Sequence, residues 1–91
     1  MKKKQARKRH RQSMERRTRN RSVRSRVRRQ MRLMREAVAA GDADHVQQLL
    51  PKTISIIDVG RRKGVLQRNT AARYKSRMAR QAHTVLNQTE A

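Results

Sequence analysis

Val23, Val27, Met31, Met34 and Val38 recur at steps of four, four, three and four. That is the period of an α-helix burying a stripe one side chain wide. Upstream of Val23 the stripe stops, although no Gly or Pro precedes Gly41. The first helix is therefore expected to pack only over its second half. Residues 1–22 would form a charged arm, helical when bound and frayed or disordered when free. Gly41-Asp42 ends this helix and begins the next, because Gly accepts the left-handed conformation at a helix C-terminus and Asp can cap the following N-terminus. Val46, Leu49, Leu50, Ile54 and Ile57 make a second apolar face. Pro51 lies within it and lacks the N–H of an internal helical residue, so a kink or a restart is expected there. Gly60 and Gly64 both offer a stop, and Gly64 is the better one. Three basic residues precede it and suit the negative end of the helix dipole. Asn69 or Thr70 can cap a third helix, whose inner face is Ala71, Tyr74, Met78, Ala82 and Val85. The pattern predicts an all-α fold: a three-helix antiparallel bundle over residues 23–91, with a long basic N-terminal helix extending beyond it. Helix 1 is expected to run to about residue 40, helix 2 over about 43–63 and helix 3 over about 69–88.

Charge adds a partner to this picture. The chain has 91 residues, enough for one small domain, and 26 Lys and Arg against six Asp and Glu give a net charge of +20. A compact fold so charged repels itself unless a polyanion neutralises it. Residues 1–35 carry a net +16, residues 36–60 a net −3 and residues 61–91 a net +7. Two basic ends thus flank a slightly acidic middle. Arg outnumbers Lys nineteen to seven. The guanidinium fork meets phosphate oxygens in pairs, so this choice points to contacts at fixed positions rather than to solubilising charge.

Several classes drop out. Cysteine is absent, which removes disulfide frameworks, thiolate zinc sites and thiol nucleophiles. No apolar run approaches the ~20 residues of a membrane span. Residues 1–22 are Arg-rich like an organellar transit peptide. Beyond Met1 they offer only Met14 and Ala6 as side chains an amphipathic presequence could use, so the segment reads as mature protein. His10, His45 and His83 are scattered singly, Asp42 and Asp44 belong to a helix start, and no catalytic, cofactor or metal constellation emerges. The expectation is a protein that is not an enzyme. Met14, Met31, Met34 and Met78 read as core or stem filler.

Among nucleic-acid binders, readers of single strands usually stack bases on aromatic rings. Tyr74 is the one Phe, Tyr or Trp of the chain, and its apolar spacing favours a half-buried edge of the bundle over a stacking platform. A leucine-zipper reader needs about four heptads of seam, and Gly41-Asp42 cuts this one short. What remains is a scaffold holding Arg on helix faces against folded RNA. A histone-like DNA-compacting protein is the competing reading. A membrane-active cationic peptide is disfavoured because the arm lacks an apolar face.

The string Lys63-Gly64-Val65-Leu66-Gln67-Arg68-Asn69-Thr70-Ala71-Ala72-Arg73-Tyr74-Lys75-Ser76-Arg77-Met78 resembles the signature of the bacterial small-subunit ribosomal protein S20 family. That family shows Lys-Gly-aliphatic-aliphatic-His-Lys-Asn-x-Ala-Ala-Arg-x-Lys-Ser-x-aliphatic at this point. The runs Arg9-His10-Arg11-Gln12-Ser13, Arg16-Arg17 and Asn20-Arg21-Ser22-Val23-Arg24-Ser25 are similar to its basic first helix. Gln67 stands for the usual His, Arg68 for the usual Lys, and Pro51 is unusual. The resemblance implies a three-helix bundle with a long first helix, found in the small ribosomal subunit of the cytoplasm; a bacterial and an organellar ribosome are both compatible with it. It implies direct, early binding to small-subunit ribosomal RNA, joining the 5′ domain to the long helix of the 3′ minor domain. Neighbouring ribosomal proteins would be the further partners of a monomer that takes no cofactor, membrane or small-molecule substrate.

Candidate RNA contacts follow from charge, helical face and resemblance together. On the first helix they are Arg7, Arg9, Arg11, Arg16, Arg17, Arg21, Arg24 and Arg28, with Ser13, Asn20 and Ser25 able to bond RNA backbone. In the signature they are Lys63, Asn69, Arg73, Lys75, Ser76, Arg77 and Arg80. Asn69 has two readings, a helix cap and an RNA contact.

Overall fold

The computed structural model describes the backbone of residues 2–90 and the side chains of residues 3–88. Three helices follow one another: α1 Lys2–Ala40, α2 Ala43–Arg62 and α3 Arg68–Glu90. No strand occurs among the described residues. Two-residue and five-residue connections join them, short enough to turn each helix back antiparallel to the one before. The 39 residues of α1 span about 58 Å at ~1.5 Å per residue, about twice the length of the 20-residue α2. The molecule accordingly measures 70 × 21 × 14 Å. Its radius of gyration is 17.9 Å, against about 12 Å for a compact chain of this length.

The stripe on α1 packs only where it was expected to. Every described side chain from Lys3 to Arg19 is exposed, Asn20 and Val23 are half-buried, and burial begins at Val27. Val27, Met31, Met34 and Ala37 of α1 meet Val46 and Ile57 of α2, and Ala71, Met78, Ala82 and Val85 of α3. Helix α2 is the central element, because both other helices pack mainly on it.

Apolar periodicity missed one feature of this core. Gln30 and Thr53 are buried beside the aliphatic residues. Gln30 Nε2 donates to Thr53 Oγ1 at 3.2 Å, and Thr53 Oγ1 donates to the Leu49 carbonyl at 2.8 Å. The chain of bonds lets two polar side chains sit inside the α1–α2 contact without stranding a donor.

The helix ends are built by glycine. Gly41 and Gly64 adopt φ of +68° and +74°. Gly41 N–H bonds to Val38 O and Asp42 N–H to Ala37 O, at 3.0 and 3.3 Å. Gly64 N–H and Val65 N–H bond in the same register to Arg61 O and Gly60 O, at 2.9 and 3.0 Å. Both are Schellman closures, which satisfy carbonyls that a helix end leaves open. Asp42 then caps α2, its Oδ1 accepting from His45 N–H at 3.2 Å. A Cβ at Gly41 would meet nothing within 4 Å, so Gly41→Ala is opposed by backbone conformation alone. It should cost about 1–2 kcal/mol. The expected loss of melting temperature is roughly 4–8 °C per kcal/mol, read by circular dichroism.

Two sequence expectations need correction, at Pro51 and at the start of α3. Helix α2 runs unbroken through Pro51, where a kink or restart was expected. The carbonyl that Pro51 leaves unbonded is that of Gln47, an exposed residue, so water can take the place of the missing donor. Gly60 lies inside the helix and is buried; the terminus is at Gly64, as the basic residues suggested. Helix α3 begins at Arg68, and Ala71 N–H bonds to Gln67 O at 2.9 Å. Asn69 and Thr70 thus lie in its first turn and neither caps it.

Candidate nucleic-acid interface

Four arginines of α1 are spaced at steps of four, three and four: Arg17, Arg21, Arg24 and Arg28. This spacing keeps them on one face beside the buried stripe. With Asn20 they line a shallow concavity of about 410 Å³. All four arginines are exposed and Asn20 is half-buried. The opposite flank carries a second series. Arg11, Arg19 and Arg26 line a trough with Glu15, Ser22 and, from the end of α2, Lys63. The bundle thus sets Lys63 against α1, far from it in sequence. The same 4-3-4 spacing at positions 15, 19, 22 and 26 was legible in the sequence, and it would have singled out Arg19 and Arg26.

The remaining candidates on α1 are dispersed. Arg7, Arg9, Ser13, Arg16 and Ser25 are exposed. Arg9 and Arg16 continue the line of Val23 and Val27 beyond the bundle, occupying with charge the face that is apolar further along.

On α3, Arg73, Ser76, Arg77 and Arg80 line one concavity of about 380 Å³ with Ala72. Arg80 Nη2 donates to Ser76 Oγ at 3.1 Å, which orients that guanidinium along the helix. Asn69 is exposed one turn earlier. Lys75 stands apart. Its ammonium pairs with Asp58 of α2, both side chains being half-buried. The hydrogen bond from Lys75 holds the Asp58 carboxyl below the usual carboxylate range, with the charges of Lys75, Arg61 and Arg62 adding to it against a desolvation that acts the other way. A depressed carboxyl stabilises the fold above its ordinary range and loses that contribution as pH falls through the lowered value. The pair is therefore formed at neutral pH, and Lys75 ties α3 to α2 with its charge already offset.

A recess that sequence reasoning did not find lies where α1 meets the α2–α3 connection. Arg24 and Arg28 stand on one side, and Gln67, Thr70 and Tyr74 on the other.

Among the described residues no arginine pairs with a carboxylate; the ion pair is Lys75–Asp58. The same residues include no group of His, Asp and Glu arranged to hold a metal ion, and no helix is long and apolar enough to cross a membrane. Unpaired guanidinium groups ranked along exposed helix faces bind multiple phosphates, each through paired N–H donors.

Known proteins are similar to this chain in sequence. The profile of the family described as ribosomal protein S20 matches residues 2–83. The small ribosomal subunit protein bS20 of Treponema denticola is 50% identical over 78 residues, covering 86% of this chain and 88% of its own. That of Koribacter versatilis is 47% identical over 72 residues, covering 79% and 81%. That of Nitrosomonas eutropha is 41% identical over 75 residues, covering 82% and 86%.

Proposed function

The chain belongs to the ribosomal protein S20 family; it is a structural protein of the small ribosomal subunit and not an enzyme, and we propose that it binds the subunit's RNA directly and early in assembly. The observation that carries this reading is the set of arginines left without carboxylate partners on two separate helices. Helix α1 offers the face of Arg17, Arg21, Arg24 and Arg28, prolonged by an arm of residues 1–22 with Arg7, Arg9, Arg11 and Arg16. Helix α3 offers Arg73, Arg77 and Arg80. The near-neutral α2 stands between them. Two basic surfaces on one rod can grip two phosphate-dense segments at once, offsetting the repulsion that would keep them apart. By family resemblance those segments are the 5′ domain and the long helix of the 3′ minor domain. Ser13, Asn20, Ser25, Asn69 and Ser76 bond sugar and phosphate oxygens beside the arginines, and Lys63 acts from the other flank of α1. Lys75 contributes mainly by holding α3 in place.

Competition binding tests the reading. Purified protein is mixed with small-subunit ribosomal RNA at physiological salt, with duplex DNA as competitor. The RNA complex should survive a large mass excess of DNA. If roughly eight phosphates are neutralised, log K should fall with log[salt] at a slope of about −6 to −7. Displacement of RNA by DNA weight for weight would reduce the protein to a polycation.

A further inference from the structure

The recess between α1 and the α2–α3 connection has a volume of about 260 Å³. That is below the ~300–1,000 Å³ of small-molecule sites, and it suits one flat ring system. Val27 and Leu66 give it an apolar floor. Gly60 lets Leu66 lie there: a Cβ on Gly60 would come within 3.0 Å of Leu66 Cδ1 and 3.5 Å of Val27 Cγ2. Tyr74, the one Phe, Tyr or Trp of the chain, is half-buried along one wall. The Gln67 amide and the Thr70 hydroxyl, each both donor and acceptor, stand at the rim.

What joins this recess to RNA is its mouth. Arg24 and Arg28 line both the recess and the adjoining concavity of Arg17, Asn20 and Arg21. A strand following the four arginines by its phosphates is carried past the opening. A nucleotide there that is not paired can turn its base inward while its phosphate stays on the guanidinium groups. A paired base cannot.

We propose that this recess takes one unpaired nucleobase of RNA, stacked against the Tyr74 ring and hydrogen-bonded at its edge by Gln67 and Thr70, with Arg24 and Arg28 holding its phosphates. The proposal rests on the RNA-binding reading above and adds a base contact to it. Tyr74 then has a role beyond the bundle edge that its apolar spacing suggested.

The test compares the full chain with Tyr74→Leu, Tyr74→Phe and Gln67→Ala, first checking each by thermal melting. Small-subunit ribosomal RNA and duplex DNA serve as separate probes. Tyr74→Leu should weaken RNA binding by roughly 5- to 150-fold, the span of a lost base–aromatic stack. The salt slope should stay as it was, since no phosphate contact is removed. Duplex DNA binding should not respond. Tyr74→Phe, which keeps the ring, should recover most of the loss. One nucleotide of the RNA should become reactive to base-modifying reagents when Tyr74→Leu replaces the parent protein. The exposed Gln67 can be changed without entering the core, so Gln67→Ala gives the answer even if Tyr74→Leu fails to fold; it should weaken RNA binding and spare DNA binding. Equal RNA affinity for parent and Gln67→Ala, together with a folded Tyr74→Leu that binds like the parent or weakens RNA and DNA alike, would overturn the base site while leaving RNA preference intact. A parent protein without preference for RNA over DNA would instead overturn the reading on which the site rests.

Discussion

Deleting residues 1–22 should weaken RNA binding by on the order of 10²- to 10³-fold at ~0.15 M salt while leaving the bundle folded. The segment holds eleven of the 26 basic side chains and one acidic residue, Glu15. Six of the thirteen Arg and Lys proposed as contacts lie within it: Arg7, Arg9, Arg11, Arg16, Arg17 and Arg21. About half of some eight phosphate contacts would go, and the salt slope should become shallower by roughly 3. Both effects are read from one titration of affinity against salt.

Stability should respond far less. The deletion removes no buried side chain among the described residues; the first of these is Val27, and Asn20 is the half-buried residue that is lost. Changes confined to exposed positions usually lie within about 0.5 kcal/mol. Relief of self-repulsion among the arginines acts in the stabilising direction. Melting temperatures within a few degrees are therefore expected, with an unchanged cooperative transition. A truncated chain that is unfolded at 25 °C would show that the arm supports the core, contrary to the exposure of its side chains.

The division behind this prediction was legible in the sequence because it depends on a single helical face. Val23, Val27, Met31 and Met34 need only be counted at intervals to show where α1 starts to pack. Gly41 and Gly64 were legible for a similar reason: a left-handed residue after a helix is a local demand. What escaped was decided between helices. Gln30 and Thr53 fall outside the apolar stripes, and only when α1 and α2 are brought together does each supply what the other needs. Asn69 looked like a cap, yet the start of α3 is fixed by the closure at Gly64 and by Leu66 lying over Gly60. Those contacts turn the chain early enough for Gln67 O to accept the first helical bond. By sequence Lys75 is a candidate RNA contact, and only the approach of Asp58 from α2 shows that its charge is engaged within the fold. The arginine face was legible as spacing; the recess at its end was not, because its two walls are some forty residues apart in the chain.

Ile57→Ala should act in the opposite sense to the deletion, leaving the phosphate contacts and emptying the centre of the core. Ile57 is fully buried in α2, the helix on which both others pack. Truncating such a side chain costs about 2–5 kcal/mol. A chain of this length has roughly 5–14 kcal/mol in all at the usual ~0.05–0.15 kcal/mol per residue. The exposed arm lowers that figure, since it adds length without burial. The variant should thus lose a large share of its stability and melt cooperatively well below the parent chain. RNA binds the folded state, so it should restore the fold by mass action. Its apparent affinity falls by the fraction of chain that is folded. The salt slope should keep its parental value, because the folded chains present the same arginines. Arm deletion changes the slope and spares the melt, whereas Ile57→Ala changes the melt and spares the slope. If Ile57→Ala shifted both together, the basic faces would depend on the core in a way that two separable surfaces on one rigid rod do not allow.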